Sequence, residues 1–440
     1  MTIKRYLLQQ ECIELAQTAN QRNLWKAHPG ENCAYMSEYS VASVKTQKHH
    51  SKSGYLPSLD GWRAIAILGV LMTHDLPWSI GRYNTAAFKG YGGYGVYLFF
   101  AISGILICTR ILEEESLIGR FHLKSFYIRR VLRIQPASLV YLAVIALLML
   151  AGIVHESWHY WRGALLFYAN FLYRASDSSG TAAFTGHFWT LSVEEHFYIL
   201  LSLLLFFFRR HRIRIFANLI LLTWIAQIVA RRYGFYSYDI STRRTQWVIL
   251  YLLTPALLAL LLRIPNIRSL AVRFLSPWVA YLTTVALMSA DRLRVPHPGV
   301  KFWSFDMLGM QGNYLFFGFS LWIIATTLHP KSLSTRFLEL PPVRFVGRLS
   351  YSLYLWHILF FIPAYAGVRI TSAPLLFLSE RPWKYIASFA AATLSYYFIE
   401  KPFIRLGHRL APPATPGHKD LAVDTAHREN AGAEPIRVAN

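Results

Sequence analysis

Long apolar runs recur along the chain, separated by short basic or polar stretches. Residues 139–154, 197–208 and 249–262 contain no charged side chain. Runs of this length predict helices that cross a hydrocarbon core of about 30 Å. We read such spans near 60–79, 92–112, 136–154, 188–208, 213–230, 246–262, 277–290, 312–328, 346–367 and 385–403. That makes about ten transmembrane helices. The apolar piece 163–173 is too short to cross and is expected to be re-entrant or interfacial. Counting it out keeps Arg209, Arg210, Arg212 and Arg214 on the cytoplasmic side. Arg231, Arg232, Arg243 and Arg244 then fall in external loops, so the charge bias is one of density. The fold class expected is all-α, a polytopic membrane helical bundle.

Composition agrees with the pattern. The 440 residues are 54% hydrophobic and 15% charged, against about 25% charged in soluble chains. A soluble enzyme, a secreted protein and a disordered regulator are disfavoured. The formal charge of +22 would suggest nucleic acid in a soluble chain. Here the cations flank apolar runs, where they meet lipid head groups, so no nucleic-acid partner is expected. Cys12, Cys33 and Cys108 lack disulfide or zinc spacing, and no metal site is expected. Residues 1–55 read as a polar cytoplasmic segment without a signal peptide, ending in Lys45, Lys48, His49, His50 and Lys52. Residues 56–407 form the transmembrane domain, and 408–440, rich in Pro, Ala and Gly, read as a disordered cytoplasmic tail.

Ionisable side chains inside a span are costly and mark candidate sites. Arg63 and His74 are eleven positions apart. At about 100° per residue they share one helix face, roughly 16 Å apart along the axis. Arg63 could instead snorkel to head groups, and His74 could simply bond a carbonyl. An imidazole there suits acyl transfer, as general base or as acyl carrier. His187 to Tyr198 opens another span with adjacent Glu194 and Glu195. Both cannot face lipid; the bland reading is an interhelical ion pair. Arg129, Arg130 and Arg133 precede Pro136, which can open the next helix. Arginine forks suit phosphate and diphosphate, although the same cluster also fits an ordinary cytoplasmic boundary. Gly92, Gly93, Gly95, Ser103 and Gly104 allow close helix approach. His357, within Ser350 to His357, and Glu400 are further intramembrane polar groups.

Taken in order, Ser58 to Ala64, Arg63 with His74, Phe99 to Gly104, Arg129 to Pro136, Trp189 to Tyr198, Ser350 to His357 and Glu400-Lys401-Pro402 resemble the membrane-bound acyltransferase-3 family. Bacterial polysaccharide O-acetyltransferases belong to it. The resemblance implies His74 and Arg63 as the catalytic pair, with Glu194 in the site. It implies an acyl-CoA site at Arg129, Arg130 and Arg133, and further site candidates at Trp189, Ser103, Glu195 and His357. Thr190 and His196 depart from the family stretch, Tyr97 stands where an aspartate is frequent, and no acid follows Arg243 and Arg244.

The expected protein is an integral inner-membrane O-acyltransferase of a bacterium, with both termini cytoplasmic. It would move an acyl group, most plausibly acetyl, from cytoplasmic acyl-CoA to a hydroxyl of a glycan or glycolipid acceptor. No bound cofactor is expected; acyl-CoA is a co-substrate. In this expectation Arg63 and Glu194 orient the imidazole or bias its protonation. The rival reading is an exporter of a polar molecule whose path is lined by the same side chains. Against it stand the absence of internal repeats and the arginine cluster.

Overall fold

The computed structural model describes residues 56–75, 79–80, 83–84, 94–172, 182–233, 243–292, 315–362, 368 and 370–412. The expectations for residues 1–55, for Cys12 and Cys33, for the tail beyond 412 and for the sidedness of both termini lie outside these residues.

Helices dominate. The first is α1 (Pro57–His74). A two-residue hairpin follows, β1 (Ser79–Ile80) paired antiparallel with β2 (Tyr83–Asn84). Next come α2 (Tyr94–Ile118), α3 (Leu123–Leu150), α4 (Trp158–Leu165), α5 (Ala169–Leu172), α6 (Phe188–Phe207) and α7 (Arg212–Arg232). The chain continues through α8 (Thr245–Val248), α9 (Leu250–Leu261), α10 (Pro265–Phe274), α11 (Pro277–Arg292), α12 (Leu315–Leu328) and α13 (Leu333–Leu338). It closes with α14 (Pro341–Phe361), α15 (Ala373–Leu378), α16 (Trp383–Ser395), a π-helical turn (Tyr396–Glu400) and α17 (Lys401–Leu410).

Each of the ten expected spans contains helix, but the first overruns α1, which ends at His74, so that its last residue, Ser79, lies in β1. Residues 76–78, 92–93, 312–314 and 363–367 of the expected spans lie outside the described residues. The number that cross a membrane is a separate matter. Among the described residues, four helices are long and apolar enough to do so alone: α2, α3, α6 and residues 212–230 of α7. A fifth arises if α9 and α10, bent by 105°, count as one span. The count of about ten is therefore not established. One physical cause of the shortfall is visible in α1, where Asp60, Arg63 and His74 lower the hydropathy of an 18-residue helix. The piece 163–173 forms α4 and α5, of eight and four residues, both too short to span.

Pro136 corrects one boundary. It does not open a helix but lies inside α3, a continuous 28-residue helix. Proline forfeits one backbone hydrogen bond, a loss that membrane helices tolerate when neighbours pack around the break. Ala137, Tyr141, Leu142 and Ile145 are all buried just beyond it. Arg129, Arg130 and Arg133 consequently sit on the same rigid helix as the apolar run.

α1 has two faces. Ile65, Leu68 and Met72 are exposed, while Trp62, Ala66, Ile67 and Val70 are buried. The buried face packs along α14 and α2. Glycine permits both approaches. A Cβ on Gly347 would collide with the Asp60 backbone, and one on Gly95 with that of Ala66. Gly104 does the same for α9, where a Cβ would lie 3.1 Å from Pro255. The exposed leucines, isoleucines and phenylalanines elsewhere, such as Leu147, Leu222 and Leu282, are the outward surface expected of a chain that faces lipid rather than water.

Candidate active site

A cavity open to solvent lies between α1, α2, α3, α6 and α14. Its polar lining is Arg63, Ser103, Arg130, Arg133, Thr190, Glu194, Tyr198, Ser350, Tyr351 and Tyr354. Helical spacing explains the selection. Arg130 and Arg133 are three residues apart on α3, as are Ser103 and Leu106 on α2, so each pair shares a face. Thr190, Glu194 and Tyr198 follow at intervals of four along α6, forming one stripe.

The carboxylate of Glu194 is held from both sides. Ser103 Oγ donates to Oε1 at 3.1 Å, and the Tyr198 hydroxyl donates to Oε2 at 2.6 Å. Arg130 places its guanidinium 4.9 Å from the centre of the Tyr198 ring and 5.7 Å from that of Phe126. Arg63 pairs with Asp60 at 3.3 Å, one turn earlier on α1. Among the described residues, neither Arg130 nor Arg133 has a carboxylate within ion-pair distance. Three arginines against one glutamate give the cavity lining a positive excess.

Arg129 is positioned differently. Its guanidinium binds Glu114 at 2.7 Å and the carbonyls of Ala411 and Pro412 at 3.2 and 3.4 Å. It thus ties α3 to the end of α2 and to the chain beyond α17, and does not line the cavity. Glu195 and Trp189 do not line it either. Trp189 meets Phe100 edge-on at 6.1 Å and lies 5.5 Å from the Arg243 guanidinium. Tyr97 stacks on Tyr251 at 4.3 Å, so the position that departs from the family pattern fills an aromatic contact.

His74 lies beyond the cavity wall. Its Nδ1 is 3.0 Å from Val70 O and 3.3 Å from His357 Nε2. Arg63 and Glu194 are engaged elsewhere, so the expected direct orientation of the imidazole by these two is not what the structure contains. The reason is axial: eleven residues of helix separate Arg63 from His74 by roughly 16 Å. Both nevertheless lie on the side of α1 opposite Ile65, Leu68 and Met72, away from the exposed face. Tyr354 adjoins both the cavity and the histidines. It lines the cavity, while its ring centre is 5.8 Å from that of His357 and 5.4 Å from that of His187. The Tyr354 and Thr190 hydroxyls both lie within donating distance of His187 O, at 2.8 and 3.2 Å, and are 2.6 Å from each other.

Several members of this region were not singled out from sequence. His187 is buried, with no hydrogen-bond partner for either ring nitrogen among the described residues, and lies 5.9 Å from His357 between ring centres. It opens the stretch containing Glu194, and that was the available signal. Asp75, next to His74, accepts from Arg381 at 2.7 Å and also binds Lys384 and Tyr385, fixing the end of α1 to α16. Glu156 accepts from Phe184 N at 2.7 Å and Thr185 N at 3.0 Å, and from the Thr185 hydroxyl, pinning the segment that leads into His187. Burial pushes the Glu156 carboxyl up to about 8, against those hydrogen bonds. Glu400, which the sequence did single out, is buried and accepts from Ser352.

Comparisons with known proteins identify the family. A relative from Staphylococcus aureus (strain COL), named "Putative O-acetyltransferase SACOL0978", is 30% identical over 382 residues, covering 81% of this chain and 59% of its own. Another, "O-acetyltransferase OatA" from Staphylococcus aureus (strain NCTC 8325 / PS 47), is 27% identical over 376 residues, covering 81% of this chain and 58% of its own. The chain therefore spans a little under three-fifths of the length of these relatives. No solved structure matches it significantly. The family described as "Acyltransferase domain" (Acyl_transf_3) matches residues 56–400. Cavity, histidine pair and glutamate all fall within those residues, and the chain belongs to the acyltransferase-3 family.

Proposed function

We propose that the protein is a membrane O-acetyltransferase that takes its acyl group from acyl-CoA on the cytoplasmic side. It delivers that group to a hydroxyl of an exported or surface glycan or glycolipid. The observation that carries the donor assignment is the pair Arg130 and Arg133, which face a cavity within the helices and have no carboxylate of a described residue within ion-pair distance. An uncompensated guanidinium away from water is costly, and a ligand bearing diphosphate supplies the missing charge in the geometry that arginine forks prefer. The names of the relatives support acetyl as the group transferred and oxygen as its destination.

In this reading the diphosphate sits against Arg130 and Arg133, and the thioester extends through the cavity toward Tyr354 and His74. His74 removes the proton of the acceptor hydroxyl as its oxygen attacks the thioester carbonyl, or first takes the acyl group itself. In the direct route a C–O bond forms, the C–S bond breaks and the proton ends on the departing sulfur. Tyr354 lines the cavity and lies beside His357, which in turn meets His74. Glu194, clamped by Ser103 and Tyr198, keeps the cavity wall rigid and offsets one of the three cations.

The test is transfer of labelled acetyl from acetyl-CoA to membrane glycan by vesicles carrying the protein. His74→Ala should lower transfer by about 10³-fold or more while the protein still inserts. Undiminished transfer by that variant would remove the mechanism. Movement of unmodified material without any transfer would mark an exporter instead.

A further inference from the structure

We propose that His357 is the positioning residue that fixes the tautomer of His74, so that Nε2 of His74 carries the lone pair used in the reaction. The inference rests on the reading of His74 given above as base or acyl carrier.

Counting protons leads to it. His357 Nδ1 lies 3.0 Å from Leu353 O and 2.8 Å from Tyr354 O. Carbonyl oxygens only accept, so Nδ1 holds the proton. A neutral imidazole has one N–H, and Nε2 of His357 is therefore an acceptor. That acceptor lies 3.3 Å from His74 Nδ1, which is itself 3.0 Å from Val70 O. Both of these described neighbours of His74 Nδ1 can only accept, which assigns the proton to this nitrogen as well. The lone pair of neutral His74 is thereby assigned to Nε2. Each step is imposed by a carbonyl of the preceding helical turn.

Packing holds the arrangement. His357 is fully buried, its far side covered by Phe361 at 6.0 Å, His187 at 5.9 Å and Tyr354 at 5.8 Å between ring centres. Asp75, bound by Lys384, Arg381 and Tyr385, anchors the adjacent residue of α1. When His74 accepts a proton at Nε2 the ring becomes cationic, and its Nδ1–H bond to the neutral His357 strengthens. The same partner thus orients the ring before the reaction and favours its charged form during it, the function a carboxylate serves in serine hydrolases. Here the acceptor is neutral, which avoids placing an anion among buried apolar side chains.

Two substitutions separate this role from simple packing. His357→Gln can offer an N–H to the helix carbonyls and an oxygen to His74; His357→Leu offers neither. Acetyl transfer is measured in vesicles from acetyl-CoA across pH, with His74→Ala in parallel. His357→Leu should lower kcat about 100-fold with KM for acetyl-CoA within about twofold, and its acid limb should move to lower pH. His357→Gln should recover about tenfold of the loss. Equal impairment of both variants with an unmoved acid limb overturns the proposal, as does near-normal turnover by His357→Leu. If His74→Ala is inactive while His357→Leu is normal, only this inference fails; if His74→Ala is active, the reading beneath it fails as well. Should His357→Leu not fold, nitrogen-15 histidine spectra of the unaltered protein decide. A proton bonded to Nδ1 of His74 is expected, and one bonded to Nε2 contradicts the assignment.

Discussion

Arg129 and Arg130 are adjacent in sequence, yet they have opposite surroundings. Arg129 ends in an ion pair with Glu114 and two backbone carbonyls. Nearby, Glu115 is held in the same manner by Arg212 at 2.6 Å and Arg209 at 3.3 Å. This acidic end of α2 neutralises the arginines around it. Arg130 and Arg133 turn instead into a cavity where Glu194 is already committed to Ser103 and Tyr198. Arg129 thus arrives with its counter-charge, whereas Arg130 and Arg133 have no carboxylate of a described residue within ion-pair distance, and on the reading proposed above an anionic ligand would supply it. The rotation of about 100° between consecutive helical residues is enough to divide one basic run between the two roles.

Four variants sharpen that contrast. The largest effect should come from the double variant Arg130→Gln/Arg133→Gln. Loss of two charge-assisted contacts, each worth about 1.5–3 kcal/mol, should raise KM for the acyl donor by about 10²–10⁴-fold in steady-state assays. Tyr198→Phe comes next: freeing one oxygen of Glu194 should lower kcat about tenfold. Arg129→Gln should leave donor KM within about twofold and lower the thermal midpoint of the solubilised protein by about 2–6 °C. Glu114→Gln should do the same, and the two together should cost no more than either alone, because they remove one shared interaction. A donor KM that rises with Arg129→Gln would erase the distinction.

The smallest effect concerns Glu156, outside the apolar spans. Its folded-state value is raised to about 8 by burial, so the folded chain keeps a proton that the unfolded chain has released. Its contribution to stability is complete below the ordinary carboxylate range and is lost as pH rises toward about 8. Thermal midpoints of the unaltered protein should fall across that window, and those of Glu156→Gln should be flatter. Parallel slopes would show that this carboxyl does not titrate there.

Much of the fold was legible in the sequence because lipid contact demands continuous apolar runs, and each expected span contains helix. The span count was less so. Helices such as α1 that carry site residues are the ones whose hydropathy those residues depress, and α9, expected within one span, is only twelve residues long and bends by 105° into α10. Pro136 misled because its usual reading as a helix opener neglects the packing beyond it. The stripe on α1 was readable from 3.6-residue periodicity alone. What sits beside His74 was not, since His357 and Asp75's partners come from helices almost 300 residues away. Nor could spacing reveal that Arg129 meets Glu114, because that pairing depends on how two helix ends dock.

The central claim is that Arg130 and Arg133 hold a phosphate-bearing acyl donor. Equilibrium binding of a non-transferable thioether analogue of acetyl-CoA tests it without chemistry. The purified protein and Arg129→Gln should bind it with similar affinity, and Arg130→Gln/Arg133→Gln should lose binding by about 10²-fold or more. Equal affinity in all three proteins would contradict the account.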